Sequence, residues 1–190
     1  MDDSFRPAPA QRAGVVWLSG LSGAGKTTVS IQLSRMLAEA GLRTVLLDGD
    51  QLRQGLCKDL GYSASDRREN LRRAAEVCRL FTETGAIIIA AFVSPLQADR
   101  DMVRELAGEN FFEVYCNAPL EVCEARDVKG LYALARQGRI PDFTGISAPY
   151  EVPRAPDLVL DTARQTVRQC AAQIFKLLHQ RRLISVPCLN

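Results

Sequence analysis

The strongest chemical signal in this chain is Gly20, four residues, then Gly25, Lys26 and Thr27, the spacing Gly-x-x-x-x-Gly-Lys-Thr. Glycines at 20, 23 and 25 let the backbone adopt positive φ and come close to a polyphosphate. Consecutive N–H groups across Gly20, Leu21, Ser22, Gly23, Ala24, Gly25, Lys26, Thr27 and Thr28 can then point at its oxygens, helped by the positive end of the helix that follows. Lys26 is placed to reach the β and γ phosphates, and the Thr27 hydroxyl to ligate the Mg²⁺ that accompanies them. A glycine-rich hairpin that merely precedes a lysine would not explain the apolar run from Val15 to Leu18 before the motif, or the helix-compatible segment after it.

Two carboxylates, Asp48 and Asp50, follow a second short apolar run, at the strand edge where ligands bind in open α/β sheets. Asp48 suits a metal held through water and the proton of an attacking hydroxyl, and Asp50 suits positioning of the acceptor. The reverse division is equally compatible with the sequence, and a turn-forming aspartate is the plain alternative for either. Arg53, Arg67 and Asn70 offer two guanidinium forks and an amide, equipment for a phosphate or sulfate group. Arg68, Arg72 and Arg73 read as a solvated helix face, although spacing alone does not separate Arg67 from them.

The elements that must position these groups alternate. Helices are expected over 28–40, 63–83, 97–106, 119–126 and 166–183, and strands over 44–47, 86–93, 111–116 and 158–160, with the run that precedes Gly20 as the first strand. The nearly unbroken apolar run Ala86 to Val93 suits a parallel strand covered on both faces. This alternation predicts a parallel α/β sheet with helices on both faces in one domain. Between Asp127 and Pro153 glycines and prolines interrupt a stretch with Lys129, Tyr132, Arg136, Arg139 and Phe143, which is expected to be a lid.

With 190 residues the chain suits one domain, and 24 basic against 22 acidic residues give no global attraction for nucleic acid or membranes. Six cysteines without a Cys-x-x-Cys pair, and His179 as the single histidine, provide no zinc spacing and point to reduced thiols. Residues 1–13 lack the apolar core of a signal peptide and read as a mobile N-terminal tail, leaving 14–190 as the domain. No apolar run approaches a membrane span, so a cytoplasmic protein is expected.

A phosphate cradle does not by itself separate a switch GTPase, a motor ATPase and a small-molecule kinase. No Asn-Lys-x-Asp segment is present to read guanine, and the size and expected lid favour a kinase. The chain further resembles the adenylylsulfate kinases from Val16 to about Asp161. The resemblance rests on Gly-Leu-Ser-Gly-Ala-Gly-Lys-Thr-Thr at 20–28, Asp-Gly-Asp-Gln-Leu-Arg at 48–53, Asp-Leu-Gly-Tyr-Ser at 59–63, Asp-Arg-Arg-Glu-Asn at 66–70, Ser-Pro at 94–95, Lys-Gly-Leu-Tyr at 129–132 and Phe-Thr-Gly-Ile-Ser-Ala-Pro-Tyr-Glu at 143–151.

What the resemblance implies is a three-layer P-loop kinase fold with a mostly parallel sheet and a lid at about 127–153. The implied reaction passes the γ-phosphate of ATP to the 3′-hydroxyl of adenosine 5′-phosphosulfate, giving 3′-phosphoadenosine 5′-phosphosulfate and ADP in sulfate assimilation. It implies Lys26, Asp48, Asp50 and Ser94 among the catalytic groups, Thr27 and Asp48 at Mg²⁺, and Asp50, Arg53, Arg67 and Asn70 on the phosphosulfate or ribose. Tyr62 and Phe143 would stack on the acceptor adenine, with Val93, Ser94 and Lys129 lining the pocket. Family members carry a phosphoserine at the position of Ser94; direct in-line transfer needs no such relay. A homodimer is implied, and a functional link to an ATP sulfurylase is compatible. Tyr62, Gln51 and Leu96 stand where the family usually has phenylalanine, asparagine and an aromatic residue, and the connection at Gly108 is short. The alternatives are a kinase of a nucleoside or sugar acid, and an idle nucleotide-binding domain, against which intact Lys26, Thr27, Asp48 and Asp50 speak.

Overall fold

A computed structural model describes residues 10–185. Five parallel strands form the central sheet: β2 (Gly14–Ser19), β3 (Thr44–Asp48), β4 (Ile87–Ala91), β5 (Phe111–Asn117) and β6 (Leu158–Asp161), in the order β3-β4-β2-β5-β6. β2 lies at the centre between β4 and β5, so the chain reverses its direction of travel across the sheet beside the carboxyl end of β2, where open α/β sheets bind ligands.

Alternation along the buried strands sorts the core into two layers. Val16, Leu18, Ile87 and Ile89 pack under α1 (Lys26–Glu39) and α7 (Val167–Gln180), while Val15, Trp17, Ile88 and Ala90 pack under α3 (Ala64–Thr82) and α4 (Gln97–Ala107). β4 is buried at every position, as its apolar run requires. Local stops agree with local chemistry. Ser63 accepts from the Asp66 N–H at the start of α3, Thr166 and Gln169 form a capping box on α7, and α4 ends at Gly108 with φ 86°.

Two expectations at the ends of the chain are corrected. The first part of the expected tail, residues 1–9, lies outside the described residues, as does Cys188. Ala10–Gln11, by contrast, form a short strand β1 antiparallel to β7 (Ile184–Ser185). The Gln11 side chain is anchored on both sides, donating to the carbonyls of Arg43 and Gly85 and accepting from the Arg43 N–H. The closing helix stops at Gln180 rather than Leu183, because Arg182 takes φ 57° and turns the chain into β7.

Three short helices complete the carboxyl edge: α2 (Gly49–Gln54), α5 (Leu120–Arg126) and α6 (Leu131–Arg136). The 127–153 excursion straps across that edge and is tied at its far end by the Glu151 N–H to the Pro95 carbonyl (2.8 Å) and the Gln97 N–H to the Glu151 carboxylate (2.6 Å). Among the described residues no helix is long and apolar enough to cross a membrane. Cys57, Cys78, Cys116, Cys123 and Cys170 are buried free thiols.

Candidate active site

The Gly20–Thr27 loop leaves the carboxyl end of β2 and enters α1, and its glycines are required by space as well as by torsion. Gly20 has φ 140°, and a Cβ there would stand 2.6 Å from the Cys116 carbonyl oxygen; Gly25, with φ 91°, is the N-cap of α1. Helix α1 therefore begins at Lys26, two residues earlier than expected.

Lys26 is buried, and its ammonium donates to the Gly20 and Leu21 carbonyls at 2.9 and 2.7 Å. Burial strips water from this cation and lowers its pKa from 10.5 to about 8. Thr27 Oγ1 donates to Asp48 Oδ2 at 2.7 Å, while the Asp50 N–H donates to Asp48 Oδ1 at 2.9 Å. Asp48 is thus the N-cap of α2 and the partner of the cradle hydroxyl at once, which fixes its carboxylate beside the loop. One hydroxyl and one carboxylate form a donor set that suits Mg²⁺, a hard cation that keeps waters and phosphate oxygens in its remaining positions. Thr27 and Asp48, the two expected metal ligands, are in direct contact.

The loop is also held by residues to which the sequence assigned no role. The Tyr132 hydroxyl donates to the Ser22 carbonyl (2.9 Å), and Arg126 donates to the carbonyls of Gly23 (3.1 Å) and Thr162 (2.6 Å). Tyr132 stood within the Lys-Gly-Leu-Tyr stretch, and Arg126 in the last turn of an expected helix, so each carried a visible position without a visible partner.

Across from the cradle, α2 and the start of α3 present the other candidates. Arg53 donates to the Gly61 carbonyl (2.8 Å) and lies 4.4 Å from the centre of the exposed Tyr62 ring. Arg67 donates through Nε to the Tyr62 carbonyl (2.8 Å) and through its two terminal nitrogens to Thr144 Oγ1 and the Asp142 carbonyl. Its partial burial lowers its pKa, with the neighbouring Arg53 acting in the same direction. Asn70 is buried, and among the described residues its Oδ1 has no partner. Lys129, from the strap, pairs with Asp50. Phe143 is half-buried and meets Tyr132 edge-on at 5.0 Å, and Val93 contributes its carbonyl to the Gly20 N–H (3.3 Å). The strap thus reaches both the cradle and the arginine wall.

Ser94, expected among the reacting groups, follows Val93 at the carboxyl edge of the sheet. It is 1% exposed, its Oγ accepts from the Trp17 indole N–H at 2.9 Å, and its carbonyl accepts from buried Arg100 at 2.7 Å. With φ 45° it stands where the chain leaves β4, and its hydroxyl oxygen ties that exit to Trp17 on β2. The solvated-face reading of the neighbouring arginines needs correction. Arg68 pairs with buried Asp99 at 3.0 Å, and Arg73 binds Asp59, Glu69 and the Leu56 carbonyl. Arg72 alone of the three pairs only along its own helix, with Glu69 and Glu76.

Comparison with known proteins adds a family. A family model described as adenylylsulphate kinase matches residues 12–161. An adenylyl-sulfate kinase of Acaryochloris marina is 52% identical over 171 residues, which cover 90% of this chain and 83% of that protein. The solved structure of the Mycobacterium tuberculosis APS kinase in complex with AMPPNP and APS superposes with a TM-score of 0.86 at 44% identity, covering 90% of this chain and 99% of that one. A hexameric APS kinase from Thiobacillus denitrificans gives a TM-score of 0.68 at 29% identity over 90% of this chain and 29% of its own.

Proposed function

The chain belongs to the adenylylsulfate kinase family, and from that premise we propose how its side chains share the transfer of the ATP γ-phosphate to the 3′-hydroxyl of adenosine 5′-phosphosulfate. The activity itself, an ATP-dependent phosphotransferase with an alcohol acceptor, follows from relatives at about half identity over most of the chain. The observation that carries the division of labour is the convergence of Lys26, Thr27 and Asp48, three groups from two strand ends, at the mouth of one cradle.

The cradle amides hold the donor phosphates, and Lys26 neutralises charge on the transferring group. Lys26 must leave the Gly20 and Leu21 carbonyls to do so, which a phosphate anion favours over neutral oxygens. Thr27 and Asp48 would hold Mg²⁺, which supplies charge neutralisation for the phosphates when bound. Asp50, at the exposed end of the pair, orients the acceptor. Its hydroxyl oxygen forms the new bond to the γ-phosphorus as the bond to the β-phosphate oxygen breaks. ADP keeps that electron pair, and Asp48, fixed by two donors, takes the hydroxyl proton.

Arg53, Arg67 and Asn70 bind the phosphosulfate and ribose, and Tyr62 and Phe143 stack on the adenine. Buried Asn70 Oδ1, which has no partner among the described residues, supports this reading, because an acceptor hydroxyl or amine would satisfy it. Val93 and Lys129 line the same pocket, and Lys129 exchanges Asp50 for the ligand. Ser94 serves as a structural turn, so transfer is direct. The 127–153 strap acts as the lid, and the protein works in the cytoplasm as a homodimer, with light scattering as the check: a monomer or a hexamer refutes the dimer. The decisive assay couples ADP release to a detector with and without adenosine 5′-phosphosulfate. Release that depends on this acceptor is expected, and equal rates with a sugar acid or a nucleoside would overturn the acceptor assignment.

A further inference from the structure

Two carbonyls of the cradle loop are held by side chains other than Lys26: Ser22 by Tyr132 and Gly23 by Arg126. Each such bond restrains the peptide that carries the oxygen, and with it the loop whose N–H groups would hold an anion. Tyr132 is unlike the exposed Arg126. It is 2% exposed, and its own backbone is clamped by Asp127, whose carboxylate oxygens accept from the N–H groups of Tyr132 and Ala133 at 3.0 Å each. The same ring meets Phe143 edge-on, with centroids 5.0 Å apart and planes at 79°.

We propose that Tyr132 is a positioning residue that couples the two substrate subsites, its hydroxyl setting the Ser22 peptide of the donor cradle while its ring sets Phe143 on the acceptor side. This rests on the assignment above of the cradle to ATP and of Phe143 to the acceptor adenine. Donor phosphates that engage the cradle N–H groups polarise the Ser22 peptide and strengthen the bond from the Tyr132 hydroxyl. A fixed Tyr132 ring orders Phe143 before the acceptor arrives, so the acceptor loses less ordering free energy on binding. The link is reciprocal by thermodynamic necessity: each ligand must tighten the other by the same factor.

Tyr132→Phe removes one oxygen and keeps the ring. Calorimetric titration of adenosine 5′-phosphosulfate, with and without saturating AMPPNP and Mg²⁺, measures the coupling directly. In the wild type the nucleotide is expected to tighten the acceptor by about fivefold or more. In Tyr132→Phe the ratio should collapse toward one. A purely structural role predicts the opposite pattern, in which the melting temperature falls and affinities weaken with the ratio intact; that result overturns the proposal. Absence of coupling in the wild type overturns it as well. Phe143→Leu, which keeps the Tyr132 hydroxyl, should lose the coupling too, and retained coupling there refutes the link even if Tyr132→Phe does not fold. Phe143→Ala separates the two readings. If it leaves acceptor affinity unchanged, the acceptor assignment falls and takes the proposal with it, whereas a weakened acceptor with intact coupling in Tyr132→Phe removes the proposal alone.

Discussion

The cradle and the wall that faces it are built on opposite principles. Around Gly20–Thr27 the positions are set by buried backbone: a glycine against the Cys116 carbonyl, a buried lysine on two loop carbonyls, and a carboxylate with both oxygens engaged. On the facing wall the working groups are long cations and rings at partly open positions: Arg53 against Tyr62, Arg67 on the strap, and Lys129 on Asp50 with side chains 52% and 61% exposed. The first region offers a preformed backbone in which Lys26 turns from two carbonyls to the phosphate, and the second binds by exchanging partners throughout. Preformed sites lose little ordering entropy on binding, whereas exchanging sites gain selectivity, because each surrendered contact must be replaced by the right ligand group.

This contrast can be tested to breaking point first at Lys26. Lys26→Ala should lower turnover on the order of 10²- to 10³-fold in a protein that still folds, since the side chain acts on the transferring phosphate. Steady-state kinetics together with thermal melts check this, and unchanged turnover in the folded variant would remove the cradle from the mechanism. Next in size is Arg67→Ala, expected to weaken the acceptor by roughly 2 kcal/mol, the low end for a charged partner because the side chain is only half-buried. Nucleotide affinity should hardly move, and Arg67→Lys should recover only part of the loss, for want of a planar fork. Titration of both variants with both ligands decides; an equal loss for the nucleotide would transfer Arg67 to the donor side.

The pH dependence sharpens the comparison further. Lys26 has a folded-state pKa lowered to about 8, below its value in the unfolded chain. Above pH 8 the free folded protein therefore binds fewer protons than the unfolded chain, and its stability should rise with pH relative to Lys26→Met. Bound phosphates favour the ammonium, so wild-type nucleotide affinity should fall over the same range, by up to about tenfold per pH unit, and that of Lys26→Met should stay flat. Parallel curves for the two proteins would exclude Lys26 as the titrating group. The smallest effect belongs to Arg72→Ala, whose partners lie on its own helix: acceptor titration should detect no change, and a loss like that of Arg67→Ala would erase the distinction between the two arginines.

The difference between the two regions also explains what could be read from the sequence. Gly20, Gly25, Lys26 and Thr27 are legible because a loop that must admit an anion restricts residue type at each position. β4 is legible because burial on both faces leaves only apolar side chains. Arg67, Arg68 and Arg73 look alike in sequence, because what separates them is Thr144, Asp99 and Asp59, at distances along the chain that no helical period encodes. Tyr132 and Arg126 were missed for a stronger reason: their partners are main-chain carbonyls 110 and 103 residues away, and a carbonyl has no residue identity to read. The β1–β7 pair is two residues long on each side, too short for alternation to appear. Ser94 entered the catalytic group through the family resemblance alone, and its bond to Trp17, 77 positions away along the chain, has no mark in the sequence.

That last contact has an optical consequence. Trp17 is the single tryptophan of the chain, fully buried, stacked on Phe92 at 4.6 Å and hydrogen-bonded to Ser94 on the turn that borders Gly20 through Val93. All of the indole emission therefore comes from one dry position two residues from the end of the central strand. The native spectrum should be blue-shifted and resistant to soluble quenchers, and it should move to the red only when the sheet itself opens. The protein thus carries its own dye at the hinge between core and cradle, and unfolding can be followed by light without attaching a label.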